Sequence, residues 1–365
     1  MAIRITRILK VDSYKIDEIL IREAADVIRR GGIVAFPTET VYGLGADAFN
    51  RDAVKRIFEV KRRPMDNPLI IHIRDLFDLE KVAREIPEKA FKLIERLWPG
   101  PLTLILPRNA RVPLETTGGL DTVAVRNPAH PIALKLIELS KTPIAAPSAN
   151  ISGRPSPTRA EHVIEDLYGL VEVIIDGGET IYGLESTIIN ILTDPPTLLR
   201  PGAYPIELIE EILGEKILIP SFARGLGEAD KALAPGMKYR HYAPKTPLVL
   251  VEAKSYDEEK LDRVAEEIVR LVKKYSERYK SIGVIVTRET LERVAHQLDK
   301  YSVKILEIGS RSNLFEIAKK LFDYLRKLDR EKLDIALIEG VRDVGVGLAI
   351  MNRVRKASSE RYIID

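Results

Sequence analysis

The chain has 365 residues and a formal net charge of +3, with 45% hydrophobic and 30% charged residues. These values predict a soluble globular protein of two domains, and the charge is too small for a dedicated nucleic-acid binder. The sequence contains no cysteine, which excludes disulfides, cysteine-zinc sites and thiol chemistry. It has no run of about 18 apolar residues and no apolar signal-peptide core, so we expect a cytoplasmic protein without a membrane span.

The first predicted elements lead into a polar segment. A helix at 17–30 stops at Gly31, and a short buried strand follows at 33–36. Residues 37–44 (PTETVYGL) then present two hydroxyls, a carboxylate and a phenol. Polar groups at the end of a buried strand commonly form a small-molecule site, although this stretch alone is equally consistent with an ordinary strand-to-loop exit.

A run of cations follows the next helix. The helix is predicted at 52–61, and residues 61–63 are all cationic before two prolines impose a loop. Such a run is usually a solvated helix end favoured by the helix dipole, but its place beside a buried strand also suits a phosphate or carboxylate clamp. His72 lies in that strand, at 69–73, where a core histidine is the commoner interpretation.

Strand ends that carry polar or cationic residues recur along the first half of the chain. The next predicted elements are helices at 87–97, 131–140 and 203–214, and strands at 102–106, 121–126, 171–176, 185–191 and 198–200. Arg126 and Arg200 each end a strand, and Arg63 occupies a similar local position. If these three cations converge on one pocket, they would bind an anionic, phosphate-bearing substrate.

The second half begins with a change of composition. Residues 219–247 are rich in proline and glycine and predict a linker, and 235–244 contains two tyrosines, a histidine and two cations. That content suggests a segment that folds back over a ligand. We therefore predict a catalytic domain at 1–218, a linker at 219–247 that covers the active site, and a second domain at 248–365.

The second domain shows regular alternation of strands and helices. Strands are predicted at 248–252, 282–286, 303–308, 333–339 and 362–364, and helices at 257–279, 288–299, 312–328 and 344–356. This alternation predicts a small doubly wound parallel α/β sheet of Rossmann-like type. No G-x-G-x-x-G motif follows its first strand, so a nucleotide site there is only weakly indicated.

Taken together, several segments resemble the threonylcarbamoyl-AMP synthase family (the YrdC-like domain) in its long two-domain form. The segments are 37–44, 61–64, 67–69, 148–150, 152–153, 185–187, 200–202 and 241–244, together with the α/β domain that follows. Each motif is weak alone, but their order and spacing are specific, and the resemblance covers essentially the whole chain.

The resemblance implies a fold and a reaction. The fold would be an open, twisted α/β sheet around a basic cavity, followed by the Rossmann-like domain. The reaction would be that of a nucleotidyltransferase that makes threonylcarbamoyl-AMP and pyrophosphate from L-threonine, bicarbonate and ATP, with Mg²⁺ accompanying ATP. A partner threonylcarbamoyl transferase would then modify adenosine 37 of tRNAs that read codons beginning with A, and weak RNA binding by this chain would be compatible with that role.

The resemblance also assigns roles to residues. Catalytic roles would fall on Lys61, Arg63, Ser148 and Asn150. ATP would be bound by Arg63, Asn67, Thr122, Ser148, Ser156, Arg200, His241 and Tyr242. Threonine would be surrounded by Thr38 or Thr40, His72, Arg126, Ala146 and Thr187, with Arg126 as the partner of its carboxylate. No residue is assigned as a metal ligand.

Two other classes of protein could account for some of these features. A non-catalytic RNA-binding protein could use the same basic cavity, but the small net charge and the lack of interleaved aromatic and basic residues count against it. A carbamoyl-transferring enzyme would be expected to carry a zinc finger, for which this chain has no cysteine. The sequence shows no Ser/His/Asp or Cys/His arrangement, which agrees with a reaction driven by positioning and charge stabilisation.

Overall fold

The computed structural model describes residues 5–229, 231–238 and 241–365. The chain divides into two compact units. The first unit comprises Met1–Ser152, Ser156–Ala223 and Gly227–Tyr239, and the second comprises Gly153–Pro155, Arg224–Leu226 and Arg240–Asp365. Each unit is built around its own sheet.

The first unit contains a mixed sheet of ten strands within the described residues. The strands are β1 (Arg7–Lys10), β2 (Val34–Phe36), β3 (Gly43–Asp47), β4 (Ile70–His72), β5 (Leu102–Pro107), β6 (Thr122–Arg126), β7 (Ile144–Ala145), β8 (Val173–Asp176), β9 (Thr187–Asn190) and β10 (Thr197–Arg200). Their order across the sheet is β1-β8-β2-β3-β7-β4-β6-β5-β9-β10. β6 therefore lies between β4, to which it is parallel, and β5, to which it is antiparallel.

Helices cover this sheet. They are α1 (Glu18–Arg29), α2 (Arg51–Lys61), α3 (Leu76–Val82), α4 (Glu88–Leu97), α5 (Pro131–Ser140), α6 (Ala160–Leu167) and α7 (Ile206–Leu213). The α1 helix starts where the Asp17 side chain accepts hydrogen bonds from two backbone amides, and α2 starts in the same way at Asn50. The apolar faces of α1 and α5 pack on β1, β2 and β8 to form a fully buried core.

The second unit is a parallel sheet with connecting helices. Its elements are β11 (Leu248–Ala253), α8 (Glu258–Ser276), β12 (Ile282–Val286), α9 (Arg288–Leu298), β13 (Val303–Glu307), α10 (Leu314–Arg330), β14 (Ile335–Glu339), α11 (Val346–Ala357) and β15 (Glu360–Ile364). The strand order is β13-β12-β14-β11-β15, and every pair is parallel. α8 packs with α9 and α10 with α11, as expected for a doubly wound sheet.

The predicted fold class is confirmed for both units. Five elements of the first unit were not predicted, namely β1, β3, β7, α3 and α6. The glycines of β3 explain one omission, since Gly43 and Gly45 suggested a loop. In the structure a Cβ at Gly45 would lie 2.6 Å from Ile144 and 2.7 Å from Phe36, so glycine permits close packing of this strand.

Within the described residues, no helix is both long enough and apolar enough to span a membrane.

The core of the second unit offers a stability test. Leu337 lies on the inner strand β14 and is fully buried, whereas Ile363 on the edge strand β15 is 52% exposed. Leu337→Ala should lower the free energy of unfolding by about 2–5 kcal/mol, because it leaves a cavity in a close-packed core. Ile363→Ala should cost well under about 1 kcal/mol. Urea unfolding followed by circular dichroism measures both, and equal losses would contradict this packing.

Candidate functional site

The loop between β2 and β3 forms one wall of the site. Tyr42 fixes its end, since the phenol donates to the Gly178 carbonyl at 2.6 Å and accepts from the Gly177 amide at 3.2 Å. Burial raises the pKa of Tyr42 and keeps the phenol protonated. Within the loop, the Thr38 hydroxyl donates to the Val41 carbonyl at 2.7 Å. The loop is therefore held rigidly against the sheet.

Arg126, the last residue of β6, links this loop to the end of that strand. Its Nη1 donates to the Thr40 hydroxyl at 2.8 Å, and that hydroxyl lies 2.8 Å from the hydroxyl of Thr38. Its Nε donates to the Gly100 carbonyl at 3.3 Å. The guanidinium side chain is only 4% exposed. A buried guanidinium can bind an anionic group through paired N–H donors.

Glu39 is the charged partner of Arg126. Its Oε1 lies 2.6 Å from Arg126 Nη2, and the carboxylate side chain is 1% exposed. Sequence reasoning did not assign Glu39 to the site. The available signal was its position between the two threonines of the 37–44 segment, where a carboxylate was noted without being given a role.

Strand pairing brings His72, Arg126 and Thr187 to neighbouring positions on the sheet, whereas Ala146 lies beside Ile70, two residues before His72 along β4. His72 and Thr103 stand opposite Arg126 on the two neighbouring strands, and the Thr103 hydroxyl lies 2.8 Å from the Ser186 hydroxyl. Thr187 follows Ser186 and donates to the Tyr204 carbonyl at 2.6 Å. Ala146, which follows β7, is buried and donates its amide to the Ile70 carbonyl.

A second cluster is organised by Lys61 at the end of α2. Its Nζ donates to the Ser148 carbonyl at 2.5 Å and, by a shorter contact, to the Asn150 carbonyl. The Ser148 hydroxyl donates to Asn150 Oδ1 at 2.6 Å. Lys61 is 1% exposed. The structure therefore brings together three of the four residues predicted to be catalytic.

Arg63 lies two residues beyond Lys61 and braces the following loop. It donates to the Asn67 side chain at 2.6 Å, to the Asn67 carbonyl at 3.1 Å and to the Pro68 carbonyl at 3.0 Å. Its neighbour Arg62 is exposed and ends α2 in the left-handed conformation. The cationic run at 61–63 is thus not a uniformly solvated helix end, since Lys61 and Arg63 are buried and only Arg62 is exposed.

Arg200, the last residue of β10, packs against the start of β9. Its guanidinium donates to the Ser186 carbonyl at 2.9 Å and to the Ser186 hydroxyl at 3.2 Å. Gly202 permits this contact, because a Cβ there would lie 2.3 Å from backbone atoms of Ser186 and Thr187. Arg126 and Arg200 thus lie on the two flanks of the β5–β9 strand pair.

Other residues predicted to bind ATP lie in different surroundings. The Ser156 hydroxyl donates to Glu185 at 2.6 Å, and both residues are buried. Thr122 begins β6 while Arg126 ends it, a separation of about 13 Å along the strand. Thr122 therefore does not belong to the cluster around Arg126.

Two histidines near the site are held in their neutral form. Burial, followed by the positive charge of Arg126, lowers the pKa of His72 to about 3. Burial also lowers the pKa of His130 to about 4, with the negative charge of Glu39 opposing that shift. Among the described residues, Nδ1 of each ring has no hydrogen-bond partner.

Tyr242 packs within the second unit. Its ring stacks on Phe322 with centroids 5.4 Å apart, and the Arg353 guanidinium lies 5.4 Å from its centroid. His241 contacts the same ring at 5.6 Å. The linker residues Tyr239 and Arg240, counted in the sequence analysis, lie outside the described residues. The assignment of His241 and Tyr242 to ATP stays a prediction.

The described residues contain no group of three or more histidine and acidic side chains that could hold a metal ion. The first unit buries four cations (Lys61, Arg63, Arg126 and Arg200), which lie at a helix end, in a loop and at two strand ends. The fold thus defines a mixed α/β protein, and its buried cations are groups suited to binding anionic ligands.

Comparisons with known proteins show which family of mixed α/β proteins the chain resembles. A family profile described as telomere recombination matches residues 26–202. A second profile, described as the threonylcarbamoyl-AMP synthase C-terminal domain, matches residues 205–359. The chain is 53% identical to a threonylcarbamoyl-AMP synthase of Pyrococcus abyssi over 96% of this chain and 97% of the relative. It is 45% identical to the enzyme of that name from Bacillus subtilis, over 96% of each chain.

A solved structure agrees with these relatives. The crystal structure of P. abyssi Sua5 complexed with L-threonine matches with a TM-score of 0.90 and 52% identity, covering 98% of this chain and all of that chain. The chain therefore belongs to the threonylcarbamoyl-AMP synthase family and is an enzyme. The family predicted from the sequence motifs is confirmed.

The buried histidines predict a pH dependence of stability. The unfolded chain takes up protons on these rings as the pH falls below about 6.5, whereas the folded chain does not until about pH 4. Stability should therefore fall with pH across this window, by up to about 1.4 kcal/mol per pH unit for each histidine. His72→Gln should make the slope shallower in urea unfolding at a series of pH values.

The matched control for that measurement is His296→Gln, because the His296 side chain is fully exposed. This variant should keep the wild-type slope. A wild-type slope in His72→Gln as well would contradict a neutral, buried His72.

Proposed function

We propose that this enzyme is an L-threonylcarbamoyladenylate synthase, a nucleotidyltransferase that joins L-threonine, bicarbonate or CO₂, and ATP. One observation carries the proposal: the chain is 53% identical to a threonylcarbamoyl-AMP synthase over 96% of its length. The buried cations of the first unit support it, since the substrates are anionic. The similarity to a Sua5 structure described as complexed with L-threonine supports threonine as the amino acid. The product would supply the N6-threonylcarbamoyl group of tRNAs that read codons beginning with A, through a partner transferase.

The reaction has two bond-forming steps. The threonine nitrogen attacks the carbon of CO₂, and loss of protons from nitrogen leaves a carbamate. A carbamate oxygen then attacks the α-phosphorus of ATP, the bond to the β-phosphate oxygen breaks, and pyrophosphate leaves. Both steps require positioning and charge stabilisation and need no side-chain nucleophile.

Each cluster has a place in this scheme. Lys61 and Arg63 would neutralise the phosphates, while Ser148 and Asn150 would orient the reacting groups. Thr38 or Thr40, with His72, Ala146 and Thr187, would enclose the threonine side chain, and Arg126 would bind its carboxylate. The neutral state of His72 suits contact with an uncharged methyl or hydroxyl group.

The remaining assignments concern ATP. Contacts to ATP would come from Asn67, Thr122, Ser156, Arg200, His241 and Tyr242, with linker residues 219–247 covering the nucleotide. Mg²⁺ would enter bound to the phosphate oxygens as part of the substrate, which is the usual mode for a cation that retains several waters.

The reaction itself gives the first test. Pyrophosphate release from ATP should require both L-threonine and bicarbonate, and L-serine should replace threonine poorly. The measurement is a coupled phosphate assay with each substrate omitted in turn. Release without threonine would point to a different acceptor, and tight RNA binding without release would favour the non-catalytic RNA-binding alternative.

The role of Arg63 gives the second test. Arg63→Ala should weaken ATP binding by about 10- to 100-fold, the factor expected for the loss of charge-assisted hydrogen bonds. Isothermal titration calorimetry measures this, with the exposed neighbour Arg62→Ala as the matched control. Retained threonine affinity would show that Arg63→Ala is folded. Native ATP affinity in that folded variant would contradict the assignment.

A further inference from the structure

Glu39 is a buried carboxylate that lacks hydrogen-bond donors within the described part of the protein. Among the described residues, neither of its two side-chain oxygens receives a hydrogen bond. Arg126 Nη2 lies 2.6 Å from Oε1, but the geometry is not that of a hydrogen bond, and Nη2 also lacks one. A buried ion that is not hydrogen-bonded is costly to maintain, so the site is incomplete without donors from a ligand.

The backbone holds this carboxylate in place. The carbonyl oxygen of Glu39 accepts from the amides of Ile181 and Tyr182, at 3.1 and 2.9 Å. Thr38 and Thr40 flank it. Their hydroxyls lie 2.8 Å apart, and the Thr40 hydroxyl accepts a hydrogen bond from Arg126. The position of Glu39 is therefore defined before any ligand arrives, as expected of a binding group.

The charged and titratable groups that interact with Glu39 come from several elements. Arg126 ends β6, His130 precedes α5, and Tyr182 and Tyr204 lie on loops. Both tyrosines are partly exposed, so the cluster meets solvent on their side. His130 is neutral, which leaves Arg126 as the positive charge of this group.

One carboxylate and one guanidinium side by side are complementary to a zwitterion. An α-amino acid presents an ammonium and a carboxylate on adjacent atoms, with the opposite pair of charges. We propose that Glu39 binds the α-ammonium of the amino acid substrate, while Arg126 binds its carboxylate, and that Glu39 accepts the first ammonium proton. This inference rests on the proposed function, because it names the substrate group that this part of the site receives.

The proton transfer explains why a carboxylate is needed. An ammonium nitrogen has no free electron pair and cannot attack CO₂. Transfer of one N–H proton to Glu39 leaves a neutral amine and a carboxylic acid. The amine then forms the C–N bond to CO₂, the displaced π electrons move to oxygen, and a second nitrogen proton is lost to solvent. Glu39 then releases the first proton to solvent and returns to the carboxylate form.

The experiment compares two ligands in two variants. L-Threonine and (R)-3-hydroxybutanoate share the methyl, hydroxyl and carboxylate groups, but only threonine carries an ammonium. Binding of each is measured by calorimetry to the wild type, Glu39→Gln and Glu172→Gln. Glu172 is the matched control, since it is a half-buried carboxylate paired with Arg56 at 2.7 Å elsewhere in the first unit.

Glu39→Gln should weaken threonine binding by about 10- to 100-fold, the factor for losing a charge-assisted hydrogen bond, and leave hydroxybutanoate binding unchanged or tighter. Glu172→Gln should alter neither. Equal losses for both ligands in Glu39→Gln would show that the carboxylate only supports the fold around Arg126, and would overturn the proposal. Unchanged threonine binding would also overturn it.

These outcomes are separable from failure of the proposed function. Threonine binding is measured without ATP or bicarbonate, so it does not depend on turnover. If the wild type binds threonine with the predicted Glu39 dependence but releases no pyrophosphate, the synthase assignment fails while the ammonium site stands.

Discussion

Burial of positive charge is the constraint on which the first unit depends. Lys61, Arg63, Arg126 and Arg200 are each at least nine-tenths buried, and a buried cation is stable only where oxygen atoms surround it. The fold supplies these atoms from strand ends and loops: the carbonyls of Ser148 and Asn150 for Lys61, of Pro68 for Arg63, of Gly100 for Arg126 and of Ser186 for Arg200. The loops are ordered around the cations, and the same cations are the groups proposed to bind the substrates.

The need to surround these cations with oxygen atoms explains the glycines in β3 and after β10. Gly43 and Gly45 allow β3 to pack closely on Phe36 and Ile144, which places residues 37–42 beside the end of β6. Gly202 allows the turn after β10 to lie directly on the backbone of residues 185–187. Side chains at these glycines would push the loops outward and remove the carbonyls from the buried cations. The glycines thus have a packing role that supports the site.

Much of the fold and part of the site could be predicted from the sequence. Periodicity located the strands and helices of the second unit, where the inner strands β12 and β14 are largely apolar runs and the long helices α8 and α10 each have an apolar face. In the first unit it missed β1, β3, β7, α3 and α6. The glycines of β3 and the two-residue length of β7 carry no periodic signal. The motifs located Lys61, Ser148 and Asn150, whose contact depends on long-range pairing that no local pattern reveals. Glu39 was missed for a related reason, since its role depends on Arg126, eighty-seven residues away.

The central claim is that carbon from bicarbonate links threonine to AMP in this site. Incubation of the wild-type enzyme with ATP, L-threonine and ¹³C-bicarbonate, followed by mass spectrometry of the nucleotide product, tests it directly. The account predicts an adduct of AMP and threonine that contains one ¹³C atom, in the carbonyl between them. An unlabelled threonine–AMP ester, or AMP carrying labelled carbon without threonine, would contradict it.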